Sequence, residues 1–281
     1  MMNLQSALFE ANKILTKNNI QSSKLDSEIL LSKVLNKDRK FIILNLDKSL
    51  DSENYKKFKN LISQRLTRKP IAYLVGKKDF WKYEFYIFDG NLIPRPETEL
   101  IIEEALRIFK HKDKINVLEI GIGSGCILLS ILKEKENFKG VGIDISKKCV
   151  ELSKINALKL DIYNRVKFFK SDVDNFFYDK YDLIISNPPY IKNHDLKYLE
   201  IDVAKFEPRL ALDGGIDGLS KIIKFVDKSS HLLKKGGKLI LEINFNQGNK
   251  VKKILEKKGF YINKVLKDLE KKDRCIVSTK L

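Results

Sequence analysis

Cysteine and histidine are scarce in this chain, and what there is lies scattered. The three cysteines, Cys126, Cys149 and Cys275, are far apart and show no metal-ligand spacing. His111, His194 and His231 do not cluster with cysteines or acids. That pattern excludes a disulfide framework, a Cys/His metal centre and a nucleophilic triad. The thiols are expected to be reduced, in a cytoplasmic protein. Long apolar runs are also missing. None approaches the ~18 residues of a membrane span. The start, Met1-Met2-Asn3-Leu4-Gln5-Ser6, lacks the basic and apolar regions of a secretory signal. Repeats and low-complexity tracts are absent.

Hydrophobic residues make up 43% of the 281 positions, enough for a sizeable core and too many for a disordered chain. Net charge is +17. That balance favours contact with nucleic acid or a ribonucleoprotein partner. A second origin is equally physical. Lysine, isoleucine, asparagine and phenylalanine are abundant while glycine and proline are sparse, as an AT-rich coding bias produces. The lysines are also spread along the chain. Nucleic-acid contact is therefore left open by the charge and is not required by it.

Residues 3 to about 70 read as a small helical bundle. Leu4, Ala7, Leu8, Ala11, Ile14 and Leu15 recur at helical spacing. Leu25, Ile29, Leu30 and Leu35 do the same, as do Tyr55, Phe58, Leu61, Ile62 and Leu66. Asp51-Ser52-Glu53 offers an N-cap to the third helix. Pro70 is expected to end the bundle. Residues 80–93 are aromatic-rich and carry Asp89-Gly90-Asn91 as turn chemistry, which predicts a β-hairpin linker. From Ile93 onward strands and helices alternate. Strands are expected at Ile115–Ile120, Gly140–Ile145, Val166–Lys170, Tyr181–Ser186, Lys238–Ile243, Tyr261–Lys267 and Cys275–Thr279. Helices are expected at Glu97–Phe109, Cys126–Lys133, Lys147–Leu158, Leu219–Leu233 and Lys250–Lys257. This alternation implies an α/β sheet, mostly parallel and covered on both faces. No helical pattern separates the last two strands, so a terminal hairpin with an antiparallel final strand is expected. The domains then run 1–75 (helical), 76–93 (hairpin linker) and 94–281 (α/β).

Two stretches carry the chemistry. Asn187-Pro188-Pro189-Tyr190 follows the strand candidate Tyr181–Ser186, and two prolines cannot continue a sheet ladder. An amide, stiffened carbonyls and a ring thus sit at the carboxyl end of a strand, where open α/β sheets bind ligands. The group suits a planar NH2 substrate: the Asn187 oxygen and a backbone carbonyl accept its two N–H bonds, and Tyr190 packs on its flat face. A purely structural proline turn, with Tyr190 as ordinary core, is the alternative. The second stretch is Glu119-Ile120-Gly121-Ile122-Gly123-Ser124-Gly125, between a strand and a helix. Glycines permit a tight turn and close backbone approach, and the helix offers its N-terminus to a ligand. The next strand ends in Asp144, a carboxylate that can accept from two ribose hydroxyls. Asp172 follows the third strand, where it meets an adenine amino group or caps a turn. A nicotinamide dinucleotide and S-adenosylmethionine both fit a ribose-binding acid. The spacing is G-x-G-x-G after an acid, not the dinucleotide G-x-G-x-x-G.

This pattern resembles the seven-stranded class I methyltransferases, whose sheet is a doubly wound, Rossmann-like one and whose acid before the glycines helps hold the methionine end of S-adenosylmethionine. With Asn187-Pro188-Pro189-Tyr190 the domain resembles those that methylate amides or nucleobase amino groups. Further stretches narrow the likeness: Arg68-Lys69-Pro70-Ile71-Ala72-Tyr73-Leu74-Val75-Gly76 with Phe80-Trp81; Ile93-Pro94-Arg95-Pro96-Glu97-Thr98-Glu99; Phe206-Glu207-Pro208-Arg209-Leu210-Ala211-Leu212; and Gly215-Ile216-Asp217-Gly218-Leu219. Together they resemble the peptide chain release factor glutamine methyltransferases, which modify the glutamine of the Gly-Gly-Gln tip of class 1 release factors. The resemblance implies S-adenosylmethionine as cofactor, lying along Glu119, Gly121, Ile122, Gly123, Ser124, Gly125, Asp144, Asp172, Val173 and Asn187. It implies that Asn187, Pro188, Pro189 and Tyr190 hold the substrate amide and carry the catalysis. On this reading the N-terminal helices dock the release factor, and the enzyme is expected to be a monomer. Two positions depart from the family pattern: Val173 stands where a bulky aromatic is common beside the adenine, and Asn244 follows Leu241-Glu242-Ile243 where glycine is common.

A primary amide nitrogen is a poor nucleophile because its lone pair is delocalised into the carbonyl. Accepting its two N–H bonds orients it and favours the charge that builds as a methyl arrives. No strong general base is needed first. Arg95 and Glu97 either shape the cofactor pocket or, for Glu97, complement the dipole of the following helix. Phe206-Glu207-Pro208-Arg209 either folds over the substrate or is a structural turn. Three competing functions remain at this point: a ribosomal-protein glutamine methyltransferase, an adenine N6-methyltransferase acting on flipped or unpaired bases of DNA or RNA, and a non-catalytic binding module.

Overall fold

A computed structural model describes residues 2–281, and the chain divides into two compact units. The first comprises residues up to Lys77 together with Glu200–Phe206. Its helices are α1 (Leu4–Lys17), α2 (Ser23–Leu35), α3 (Arg39–Leu44), α4 (Ser52–Leu66) and α5 (Ile71–Val75). Asn3 starts α1 by accepting the Ser6 N–H, and Asp51 starts α4 by accepting the Asn54 N–H. Leu4, Ala7, Ala11 and Leu15 of α1 meet Phe58 and Ile62 of α4 in one apolar cluster. Two expectations are corrected here. Pro70 does not end the helical region. It sits at the start of α5, where a missing N–H costs nothing, and Gly76 closes that helix with a positive φ. The buried face of α2 is not simply its leucine stripe either. Leu25 is exposed, while Asp26 and Glu28 are buried. Burial of those acids is offset by cations: Arg65 holds Asp26 at 2.8 Å and Asp202 at 2.7 Å, and Arg39 holds Glu28 at 2.5 Å. Asp202 lies in the 200–206 segment, so Arg65 ties that segment into the bundle.

The second unit begins with a two-stranded hairpin, β1 (Lys77–Phe80) and β2 (Tyr83–Tyr86). The hairpin turns at Trp81-Lys82, not at Asp89-Gly90-Asn91. Trp81 takes a positive φ there, and Phe80 and Phe85 are both buried, their rings packed edge to face. Gly90 bends the chain later, beyond β2. A 3-10 turn at Pro96–Thr98 then leads into α6 (Glu99–Ile108), so the regular helix starts two residues after its expected beginning. The chain continues through β3 (Asn116–Ile120), α7 (Cys126–Glu134), β4 (Lys139–Asp144), α8 (Lys147–Lys159), β5 (Val166–Lys170) and β6 (Tyr181–Ser186). Two short helices follow, α9 (Ile201–Phe206, in the first unit) and α10 (Arg209–Leu212). Last come α11 (Ser220–Leu232), β7 (Leu233–Glu242), α12 (Gly248–Lys257), β8 (Phe260–Lys267) and β9 (Asp273–Lys280).

Seven strands form one sheet in the order β5-β4-β3-β6-β7-β9-β8. The first five pair in parallel, and β9 runs antiparallel between β7 and β8, as a terminal hairpin requires. Alternate residues feed two cores. Val117, Leu183, Ile185 and Ile240 pack with α6, α7 and Ala157 on one face. Leu118, Ile184, Leu239 and Leu241 pack with α11 and α12 on the other. The winding reverses between β3 and β6, which opens a crevice at their carboxyl ends.

Candidate active site

Four strands end at that crevice. β3 runs into Gly121, β4 ends at Asp144, Asp172 lies just beyond β5, and Asn187 follows β6. A cavity of about 220 Å³ lies among them. Its lining includes Gly121, Gly123, Asp144, Asp172, Val173, Asn187 and Pro189. The structure thus gathers residues from four separate sequence stretches around one space.

The glycine turn explains its own sequence. Gly121, Gly123 and Gly125 all have positive φ, a region costly to a residue with a Cβ. At Gly121 and Gly123 the direction a Cβ would take is open, which leaves room for a ligand against the backbone. Gly125 is different: a Cβ there would press on Leu129 of α7. Ile122 faces away from the cavity. It is buried and covers Gly142 of β4, where a side chain would overlap it. Ser124 is buried as well, and its carbonyl accepts from Asn156 at 2.9 Å.

Glu119 also points inward. It is 1% exposed and accepts the Leu128 N–H at 3.0 Å. Gly125, the N-cap residue of α7, has no side chain to do this, so Glu119 caps that helix from β3. Burial holds its carboxyl well above the ordinary range. Asp144 instead reaches the cavity and pins its rim. One oxygen accepts from Gly123 at 3.0 Å and the other from Ser146 at 2.8 Å. Burial raises its pKa, and those two N–H bonds oppose the rise. Asp172 caps the short turn Val173–Asn175 by accepting from Asp174. Val173 lines the cavity without an aromatic ring, but Phe225 of α11 supplies one to the same space. Leu92, Ile145 and Leu210 add apolar lining that periodicity does not reveal.

At the Asn-Pro-Pro-Tyr corner, Asn187 Nδ2 donates to Thr98 Oγ1 at 3.2 Å. Among the described residues nothing donates to its Oδ1, so the side chain keeps an acceptor free at the cavity wall. Pro188 is buried, and Pro189 reaches the cavity. Tyr190 does not. Its ring packs against the core beside α11 and its hydroxyl donates to Glu242 at 3.1 Å. Burial pushes the Tyr190 hydroxyl far above its usual range, with Glu242 adding to the rise. The corner is braced from outside by residues the motif reading missed. Gln247 is buried and donates to the carbonyls of Tyr190 and Gly218, at 3.1 and 3.0 Å. The Gly214–Gly218 loop lies directly on the Tyr190 backbone. Asn244 has no positive φ, so the turn after β7 does not demand a glycine; the Asn244 N–H and the Gln247 side chain close it at 3.0 Å. Glu207 is buried and takes the Arg95 guanidinium and the Ile93 N–H, fastening the strap whose next residues, Pro208, Leu210 and Ala211, line the cavity.

Residues 6–76 match the family described as PrmC N-terminal domain, and residues 98–205 match Methyltransferase small domain. A release factor glutamine methyltransferase of Clostridium acetobutylicum is 35% identical over 99% of both chains. One from Clostridium botulinum is 38% identical over 99% of this chain and 100% of its own length. Among solved structures, a methyltransferase from Pyrococcus furiosus aligns with a TM-score of 0.52 at 20% identity, covering 70% of this chain and 88% of that one; this likeness concerns the fold alone. Full-length identity at this level, on a sheet whose strand ends converge as described, places the chain in the release factor glutamine methyltransferase family.

Proposed function

We propose that this protein transfers a methyl group from S-adenosylmethionine to the side-chain amide nitrogen, N5, of the glutamine in the Gly-Gly-Gln motif of class 1 release factors. The observation that carries this reading is the Asn187 amide. Its NH2 is engaged by Thr98, and its oxygen is left as an acceptor at the cavity. That acceptor suits an NH2 group of the substrate. The Pro188 carbonyl is assigned to the second N–H. The two contacts hold the nitrogen lone pair in one direction and favour positive charge on the nitrogen.

The cofactor fits the residues present. Open space above Gly121 and Gly123 leaves room for close approach, and Asp144 offers carboxylate oxygens suited to ribose hydroxyls. The apolar lining from Ile145, Val173 and Phe225 suits the adenine. Glu119 supports this site indirectly, by capping the helix that follows the glycine turn. When bound, the cofactor supplies an electrophilic methyl on a sulfonium. The protein's own groups orient the amide, keep the loop in shape and surround the reacting atoms with apolar walls. The helical first unit is assigned to docking the release factor, which presents its tip to Asn187.

The test offers labelled S-adenosylmethionine with purified release factor, its Gly-Gly-Gln→Ala variant, ribosomes and DNA. Label is expected on the release factor only and is lost in the glutamine variant. Label on DNA alone would overturn the proposal, and label on a ribosomal protein alone would move the substrate to that protein.

A further inference from the structure

The cavity has one wall that the sheet does not build. Gly90 and Leu92 line it from the segment after β2, and Pro208, Leu210 and Ala211 line it from the strap around α10. Neither segment belongs to the seven-stranded sheet, so no ladder holds it. Each has one anchor of its own. Asn91 donates to Cys149 Sγ of α8 at 3.2 Å, and the Leu212 carbonyl accepts the Ile191 N–H at 3.0 Å.

Their second anchor is shared. Ile93 directly follows Leu92, and Glu207 directly precedes Pro208. Glu207 Oε2 accepts the Ile93 N–H at 3.1 Å, while Oε1 takes the Arg95 guanidinium. That guanidinium also donates to the Ile93 carbonyl at 2.7 Å. Arg95 and Glu207 thus satisfy both backbone groups of Ile93, as a neighbouring strand would. The Glu207 side chain is 2% exposed, and its buried charge is offset by this one cation.

We propose that Arg95 and Glu207 are positioning residues for the cofactor: they buckle the two wall segments together before S-adenosylmethionine arrives. This rests on the reading of the cavity as the cofactor site. A wall already in place lowers the ordering cost of binding. With the buckle open, each segment keeps only its own anchor. The cavity survives, but its outer wall becomes mobile. The loss falls on cofactor affinity more than on the chemical step, because Asn187 is held separately by Thr98 at 3.2 Å.

The experiment compares the wild type, Arg95→Met, Arg95→Lys and the double variant Arg95→Met/Glu207→Gln. Titration calorimetry reads affinity for S-adenosylmethionine, and thermal unfolding without cofactor reads the fold. Arg95→Met should weaken affinity roughly tenfold, the scale of a lost hydrogen bond to a charged group. The loss should appear as a raised KM for the cofactor, with kcat lowered less than about threefold. Arg95→Lys leaves a cation beside Glu207, so the thermal midpoint should hold within a few degrees. An ammonium lacks the fork that spans carboxylate and carbonyl, so affinity should still drop about threefold. The double variant removes the orphaned charge and keeps an acceptor for the Ile93 N–H. Its thermal midpoint should rise above that of Arg95→Met while its affinity stays low. Hydrogen exchange without cofactor should quicken in Arg95→Met at residues 90–93 and 207–211 together, and cofactor should slow it at both. Should Arg95→Met not fold, Arg95→Lys and the double variant carry the same comparison. Affinity within about twofold of wild type in every variant overturns the inference. So does affinity that recovers together with the midpoint in the double variant, or exchange that quickens at residues 90–93 alone. A wild type that binds no S-adenosylmethionine would end the reading of the cavity itself, and this inference with it.

Discussion

Replacing Asp144 with alanine should weaken cofactor binding far more than it weakens the fold. Asp144 stands at the end of β4 and takes N–H bonds from Gly123 and Ser146. Each of its oxygens keeps a lone pair for a ligand hydroxyl. Hydrogen bonds to a charged acceptor contribute about 1.5–3 kcal/mol each. Losing two from the ribose would cost about 3–6 kcal/mol, or roughly 10²–10⁴ in affinity. Some of that loss would arise because Gly123 is no longer held. Asp144→Asn separates the two contributions. Its one oxygen can still accept a single rim N–H, but its NH2 cannot accept from a hydroxyl, so an intermediate affinity is expected. Titration calorimetry with S-adenosylmethionine reads the affinities, and thermal unfolding without cofactor reads the fold. Acidification should mimic the substitution sooner than it would for an exposed aspartate, because burial raises this carboxyl. An Asp144→Ala protein that binds cofactor within about threefold of wild type would refute the ribose assignment.

Asn187→Ala should cut kcat by roughly 10²–10³, the scale for removing one preorganised polar group, with cofactor affinity nearly unchanged; single-turnover assays with release factor check it. Arg65→Ala should destabilise the first unit by about 3–5 kcal/mol in urea unfolding, because Asp26 would remain buried without its cation. Gly218→Ala should lower both kcat, by an order of magnitude or more, and the thermal midpoint, since its positive φ disfavours a side chain and a Cβ there would meet the Tyr190 carbonyl at 2.5 Å and displace the corner that presents Asn187; kcat and thermal midpoint measured on one preparation test both halves.

Much of the α/β region was legible because its signals are local. Apolar runs such as Val117–Ile120 and Leu183–Ile185 announce buried strands, and Gly121 and Pro188 mark where they stop. The strand ends bearing Gly121, Asp144 and Asn187 followed from that reading. The missed features come from contacts between distant residues. Glu119 reads in sequence as a ligand for the cofactor, and nothing local shows that one of its oxygens accepts the Leu128 N–H at the start of α7. Tyr190 reads as a platform for the substrate, and its motif does not reveal that its hydroxyl donates to Glu242, 52 residues on. Thr98, Glu242 and Gln247 carry no local periodicity that would reveal their partners. The α2 face was misread for a related reason. Leucine spacing cannot show that Arg65 and Arg39 make buried acids tolerable on the opposite side.

The assignment of Glu200–Phe206 to the helical unit makes the catalytic fragment discontinuous in sequence. A deletion variant starting at residue 78 would keep that short helix while discarding Arg65, the guanidinium that neutralises Asp202. A shortened enzyme made by one cut thus inherits an orphaned charge. Excision of the helical unit should be paired with a replacement linker across 200–206, and modular exchange between relatives needs three matched junctions instead of one.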